Sequence, residues 1–260
     1  MKNWVWIVVL LAVPAFAQRG PAYRAQRAPD GHADLSGIWE ALGTANWDLQ
    51  DHPSHAGPYF QMGSLGAVPS GRGVVEGGAI PYKPEALAQR KKNFDDRWKL
   101  DPEVKCYMPG IPRATYMPFP FQIVQSAKVI LMAYEFASAN RVINMEKPVE
   151  ASVDTWMGTS NGHWEKDTLV VDNTGFNDLS WFDRAGDFHS DALHVVERFT
   201  PVDATHLNYE ATIEDRQVFT RPWKISLPLY RRTEAGAQLA EFKCVEYSEE
   251  LLYGDLRKKK

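Results

Sequence analysis

Apolar and polar positions alternate most regularly between residues 163 and 230, where HWEKDTLVV, ALHVVERF, THLNYEATIED and PWKISLPLY follow one another across short polar breaks. Val, Ile, Leu, Thr and aromatics at two-residue spacing, interrupted by Glu-Lys-Asp and Pro-Val-Asp-Ala, predict adjacent antiparallel strands. A half-buried meander of this kind needs a covering layer or closure on itself. The expected fold is therefore mainly β: an antiparallel barrel or curved sheet with one helix and long loops.

That helix is predicted over residues 84–98. Pro84 suits a first turn, and Leu87, Phe94 and Trp98 fall near one face, which leaves Arg90, Lys91 and Lys92 for solvent. Further strands are expected at 121–125 and 129–135, joined about Ser126-Ala127-Lys128, and at 141–145, 168–174 and 239–247. Residues 43–81, rich in Gly and Pro, read as a long irregular loop of the kind that forms lids and binding loops. Prolines at 109, 112, 118 and 120 exclude helix and central strand there, leaving an extended aromatic rim with one prolyl bond a candidate for cis. Residues 178–190 read as a polar loop that carries Trp181 and Phe182.

The N-terminus changes the picture of where the chain works. Lys2, the apolar run 4–13 and Ala15-Phe16-Ala17 form a signal peptide over residues 1–17, which predicts a periplasmic or secreted protein with no transmembrane span after cleavage. A flexible leader at 18–33, a single β-rich domain at 34–250 and a polar tail at 251–260 would follow. Cleavage removes Lys2 and takes the net charge from −4 to −5, which gives no basic surface for nucleic acid. In an oxidising compartment Cys106 and Cys244 are read either as one long-range disulfide or as two buried thiols.

Candidate chemistry lies mostly in the second half. With Phe199 placed opposite Leu207, one face of the hairpin 193–213 carries Glu197 and Tyr209 among apolar side chains, and the other carries His194, Arg198 and Glu210. Glu197, buried alone, would be a raised-pKa acid or base, whereas an arginine partner would make it structural. His194 with Glu210 is a candidate proton-transfer pair, and His189 stands at the loop–strand boundary before it. Arg141 shares a face with Ile143 and Met145, so it points toward a cavity or pairs with Glu135. Arg221 at the rim, Tyr209, Trp181 and Asp172 complete the candidate substrate contacts.

No cofactor is predicted. His189-x-Asp191-x-x-His194 and His52-Pro53-Ser54-His55 hold ligand types for a divalent metal without a recognisable ligand spacing. Gly158-Thr159-Ser160-Asn161-Gly162 matches a nucleophile elbow in letters, but it lacks the strand-before, helix-after setting and reads as a glycine-rich turn.

Several blocks in one order resemble a family of exported proteins from environmental bacteria: Asp34-Leu35-Ser36-Gly37-Ile38-Trp39, Pro109-Gly110-Ile111-Pro112-Arg113, Pro120-Phe121-Gln122-Ile123-Val124-Gln125, Thr174-Gly175-Phe176-Asn177, His189-Ser190-Asp191-Ala192-Leu193-His194 and Thr220-Arg221-Pro222-Trp223. This resemblance implies one shared fold and no particular reaction. Separately, Gly37-x-Trp39 followed by the meander is similar to the first strand of lipocalin-like barrels, where the Trp closes the barrel floor. The leading expectation is a small-molecule lyase or isomerase with acid and base side chains in a barrel cavity. A periplasmic carrier of a small organic molecule and a metal-assisted hydrolase are the alternatives, and the sequence leaves the oligomeric state open.

Overall fold

The computed structural model describes residues 23–257. Nine strands close into a barrel in chain order: β1 Gly37–Glu40, β2 Phe121–Gln125, β3 Val129–Tyr134, β4 Asn140–Asn144, β5 Thr159–Glu165, β6 Thr168–Thr174, β7 His194–Pro201, β8 His206–Glu214 and β9 Trp223–Arg231. An odd number of strands cannot close with antiparallel neighbours throughout, and the parallel pair is β4 with β5. Their connection, residues 145–158, has the length a parallel crossover requires. The mainly β barrel is thus as expected, with this one seam added. The predicted signal peptide lies outside the described residues, and no described helix is long and apolar enough to cross a membrane.

Alternation places Trp39, Phe121, Ile123, Ile130, Met132, Ile143, Leu169, Val171, Phe199, Leu207, Tyr209 and Ile225 in one contiguous interior cluster. Trp39 is 1% exposed, its Nε1–H donates to the Leu35 carbonyl at 2.9 Å, and the Arg231 guanidinium lies 4.3 Å from its ring centre. Gly37, at φ +138°, makes room for that arginine; a Cβ there would sit 2.5 Å from Arg231 Nη1. β9 has nine residues against the four of β1, so half of its edge needs another partner. The long loop supplies it through Glu76 N–H to Lys224 O and Ser226 N–H to Val74 O.

Four local readings change. Residues 158–162 do not form a turn, because Thr159 to Gly162 pair with β6 as part of β5. The strand expected at 239–247 is absent, since β9 already closes on β1 and leaves no free edge there. The tail 251–260 begins inside a short helix, Ser248–Tyr253. The leader is held from residue 26 onward: Gln26 O accepts from Asp34 N–H, Arg27 pairs with Asp167 at 2.6 Å, Gln125 donates to Asp30, and His32 stacks on Trp164.

Helix α1 spans Pro84–Leu100 but turns a different face inward. Ala86 and Asn93 are buried, Leu87 is exposed and Arg90 is partly buried. The reason is the loop it meets: Asn93 Nδ2 donates to Gly186 O, and only glycine fits there, with φ +84° and α1 backbone 2.9 Å from where a Cβ would stand. Ile111–Pro112 is the cis prolyl bond, leading into the one-turn helix α2, Arg113–Tyr116. Cys106 and Cys244 form a disulfide across 138 residues, a closure worth about 5 kcal/mol in the loop-entropy account.

Candidate functional site

The barrel centre holds a closed polar network in place of the cavity expected there. Arg141 on β4 meets Glu197 on β7 through Nη1 at 2.6 Å and Nη2 at 3.2 Å. Tyr209 OH donates to Glu197 Oε1 at 2.8 Å and Asn173 Nδ2 to Oε2 at 3.0 Å. Ser160 Oγ and Arg141 Nη1 both donate to Asn173 Oδ1. A carboxylate offers about four acceptor positions, and here all four are taken. Burial opposes the charge of Arg141, but Glu197 more than restores it and raises its pKa above the ordinary value. Glu197 thus has the arginine partner that the sequence reading tied to a structural role, with its acceptor positions filled, and Arg141 pairs with it instead of with Glu135.

His194 and Glu210 stand on the barrel's outer surface and do not meet. The true register pairs Phe199 with Tyr209, two residues from the assumed one, so His194 lies opposite Glu214. Parity is unchanged by an even shift, which is why the faces were assigned correctly while the partners were not. His194 Nε2 contacts Asp172 Oδ2 at 2.9 Å, with both side chains partly in solvent, and Glu210 pairs with Lys224 at 2.5 Å. Arg221 is exposed and, among the described residues, donates to the Pro222 carbonyl alone. Trp181 is half-buried and bridges to Phe188 within its loop.

His189 is 3% exposed and contacts Ser180 Oγ through Nε2 at 2.8 Å. Its Nδ1 lies 2.8 Å from the Ser190 carbonyl, so Nδ1 carries the proton and Nε2 accepts from the serine hydroxyl. Burial lowers the pKa of this imidazole and keeps it neutral. The pair ties the 176–190 loop together beneath Phe182, whose ring lies 5.2 Å from the imidazole. Sequence position alone placed His189 at a loop–strand boundary and did not indicate its burial.

An open groove does form, at the parallel seam. β4 and β5 pair at only two positions, Ile143 with Ser160 and Asn144 with Asn161, against eight between β7 and β8. Ahead of those pairs the strands part, leaving a groove of about 590 Å³. Met108, Val142, Val149, Trp156 and Met157 give it apolar walls, while Asn140, Thr155, Thr159 and Ser160 add neutral polar groups. Arg141 is its one charged lining residue, and Arg141 Nε is buried without a partner. Exposed Val124 and Leu131 continue the row from Val142 across the outer faces of β2 and β3, so an apolar strip leads to the groove.

The loop layer over one end of the barrel contains two further charged clusters. In the first, Arg113 is bidentate to Asp101 at 2.8 and 2.9 Å and also meets Glu103, which in turn accepts from Arg184 at 2.7 and 2.9 Å. Burial pushes the Glu103 carboxyl upward, yet Arg184, then Arg113, and a hydrogen bond from Asn46 hold it at about 2. The second cluster gathers Asp48, Asp183 and Asp187, with one ligand atom from each within 4.8 Å of the others. Burial, then the carboxylates of Asp187 and Asp48, push the Asp183 carboxyl well above the usual range.

The chain matches no family model, no curated protein and no solved structure, so its class is defined by geometry: a nine-stranded, side-chain-filled β-barrel with a lateral groove. Asn173 was findable from sequence, since it continues the inward parity of Leu169 and Val171. The aspartate cluster was not, because Asp48 is far in sequence from Asp183-x-x-x-Asp187 and that stretch reads only as a polar loop.

Proposed function

We propose that this chain is an exported small-molecule binding protein whose site is the seam groove between β4 and β5. The observation that carries the reading is Arg141, the one charged residue lining an otherwise neutral groove, whose Nε is a buried donor without a partner. A buried unsatisfied donor costs about 1–3 kcal/mol, which a ligand acceptor would relieve. Glu197 already neutralises the guanidinium, so the preferred acceptor is an uncharged oxygen such as a carbonyl, ether or hydroxyl. Trp156, Met108, Met157 and Val142 suit an apolar body, giving a neutral, partly apolar, oxygen-bearing molecule.

Turnover as a lyase, isomerase or hydrolase would need a titratable group at the ligand. Arg141 is the only such group lining the groove, and it is locked to Glu197, so binding is the reading this geometry favours. The test is a thermal-shift and native mass-spectrometry screen with neutral oxygen-bearing molecules and their carboxylate analogues. Neutral compounds should bind in preference. Val142→Glu, at an exposed position on the groove wall, should weaken them by about tenfold or more, because an apolar ligand seated there would have to desolvate the new carboxylate. Binders indifferent to Val142→Glu and to Trp156→Ala, or no binder among the neutral set, would overturn the assignment.

A further inference from the structure

We propose that Asp48, Asp183 and Asp187 bind a divalent cation through oxygen ligands and so tie the long loop before α1 to the loop between β6 and β7. The three come from separate places: Asp48 from the long loop before α1, and Asp183 and Asp187 from the buried loop between β6 and β7. Their ligand atoms lie within 4.8 Å of one another, twice a typical calcium–oxygen distance of about 2.4 Å. Oxygen ligands at this spacing can share one ion.

Charge and hydrogen bonding both leave the cluster unfinished. Among the described residues Arg90 is the one cation in contact, 3.2 Å from Asp187 Oδ1 and 4.0 Å from Asp48 Oδ2. Arg113 influences Asp183 at longer range but is saturated by Asp101 and Glu103. Three carboxylates against one guanidinium leave two negative charges, the charge a divalent ion supplies. Asp183 has both oxygens held by backbone N–H groups of Leu49, Ala185 and Asp187, which fixes it as a rigid ligand.

Asp187 provides the independent sign of a ligand. It is fully buried, and its Oδ1 accepts from Tyr82 OH and Arg90 Nε, whereas its Oδ2 has no hydrogen-bond partner. A second orphan atom stands nearby: His52 and Asp48 line the same small cavity, and His52 Nε2 is buried unpartnered. The Gln50 carbonyl, 2.8 Å from Nδ1, places the imidazole proton there and leaves the Nε2 lone pair bare.

The competing account is a proton shared between Asp183 and Asp187. The experiment is calorimetry and thermal unfolding of the chelator-treated chain with Ca²⁺ and, separately, Mn²⁺, for the wild type, Asp48→Asn, Asp187→Asn and Asp183→Asn. A cation at about 100 times its Kd should raise Tm by about 5–10 °C, and each variant should lose most of that rise. An unchanged Tm and no binding heat up to millimolar Ca²⁺ or Mn²⁺, with Asp183→Asn as stable as the wild type, would overturn the site in favour of the proton. If the variants do not fold, anomalous scattering from Mn²⁺ in wild-type crystals decides. Density between the three carboxylates supports the site, and its absence from a crystal soaked at millimolar Mn²⁺ refutes it.

Discussion

The barrel centre and the loop layer each bury carboxylates, but they treat them differently. At the centre Glu197 meets Arg141, Tyr209 and Asn173, and positive and negative charges are equal. In the loop layer Asp48 and Asp187 share Arg90, Asp183 is held by backbone N–H groups, and Asp187 Oδ2 is left without a donor. Burial therefore does not mark a functional group in this molecule. Six buried side-chain atoms among the described residues lack a partner, and three of them, Asp187 Oδ2, His52 Nε2 and Arg141 Nε, belong to residues of the aspartate cluster, the small cavity beside it and the seam groove; the others are Thr115 Oγ1, Trp223 Nε1 and Arg231 Nε.

The comparison breaks most visibly if the balanced pair is unbalanced. Arg141→Met leaves the Glu197 carboxylate buried with two neutral donors, and the expected loss is about 3–5 kcal/mol by urea unfolding. Replacing the charged pair and its tyrosine with apolar groups, Arg141→Met with Glu197→Leu and Tyr209→Phe, should recover most of that loss, because no charge is then stranded and Asn173 keeps Ser160 and the Val171 and Val195 carbonyls as partners. A triple variant as unstable as the single one would mean that the network does more than satisfy itself.

A smaller effect separates charge balance from location. Glu103 lies in the loop layer, as the aspartates do, but two arginines face it and hold its carboxyl at about 2, below its ordinary 4.5. A depressed carboxylate stabilises the fold above the unfolded-state value and loses that contribution as pH falls from about 4.5 toward 2. The amount is on the order of 3 kcal/mol. In acid titrations followed by unfolding, wild type should exceed Glu103→Gln clearly at pH 7, and the gap should close on the way to pH 2. Parallel curves over that range would show that ionisation of Glu103 is not what binds Arg184 and Arg113.

Much of this was legible in the chain, and the divide follows the range of the interactions. Two-residue alternation fixed the faces of β6, β7 and β8 because side-chain direction is set by the strand itself. It could not fix partners: shifting Phe199 from Leu207 to Tyr209 keeps every face and changes every neighbour. The spacing of Arg141 to Ile143 left an inward position and a pair with Glu135 both open, and its actual partner Glu197 is 56 residues away and follows only from barrel closure. The seam groove was illegible for a related reason. Gly158 to Gly162 reads as a turn by composition, and its pairing with β4 as a parallel strand depends on the parity of the whole ring.

The smallest expected effect lies outside the barrel, where His194 and Asp172 meet at 2.9 Å with 37% and 48% of their side-chain surfaces in water. Solvent screens such a pair and side-chain entropy opposes it, so its contribution should be about 0.2–1 kcal/mol. Asp172→Asn, His194→Ala and the double variant form a cycle whose coupling energy reads this term directly. The same three proteins test whether the pair belongs to a site. With neutral ligands in the groove, each should bind as wild type does, because neither residue lines it. A coupling above about 2 kcal/mol, or ligand affinity that tracks His194, would mean that the outer face of β6 and β7 is a functional surface. Saturation of polar groups would then be a poor guide to where this barrel works.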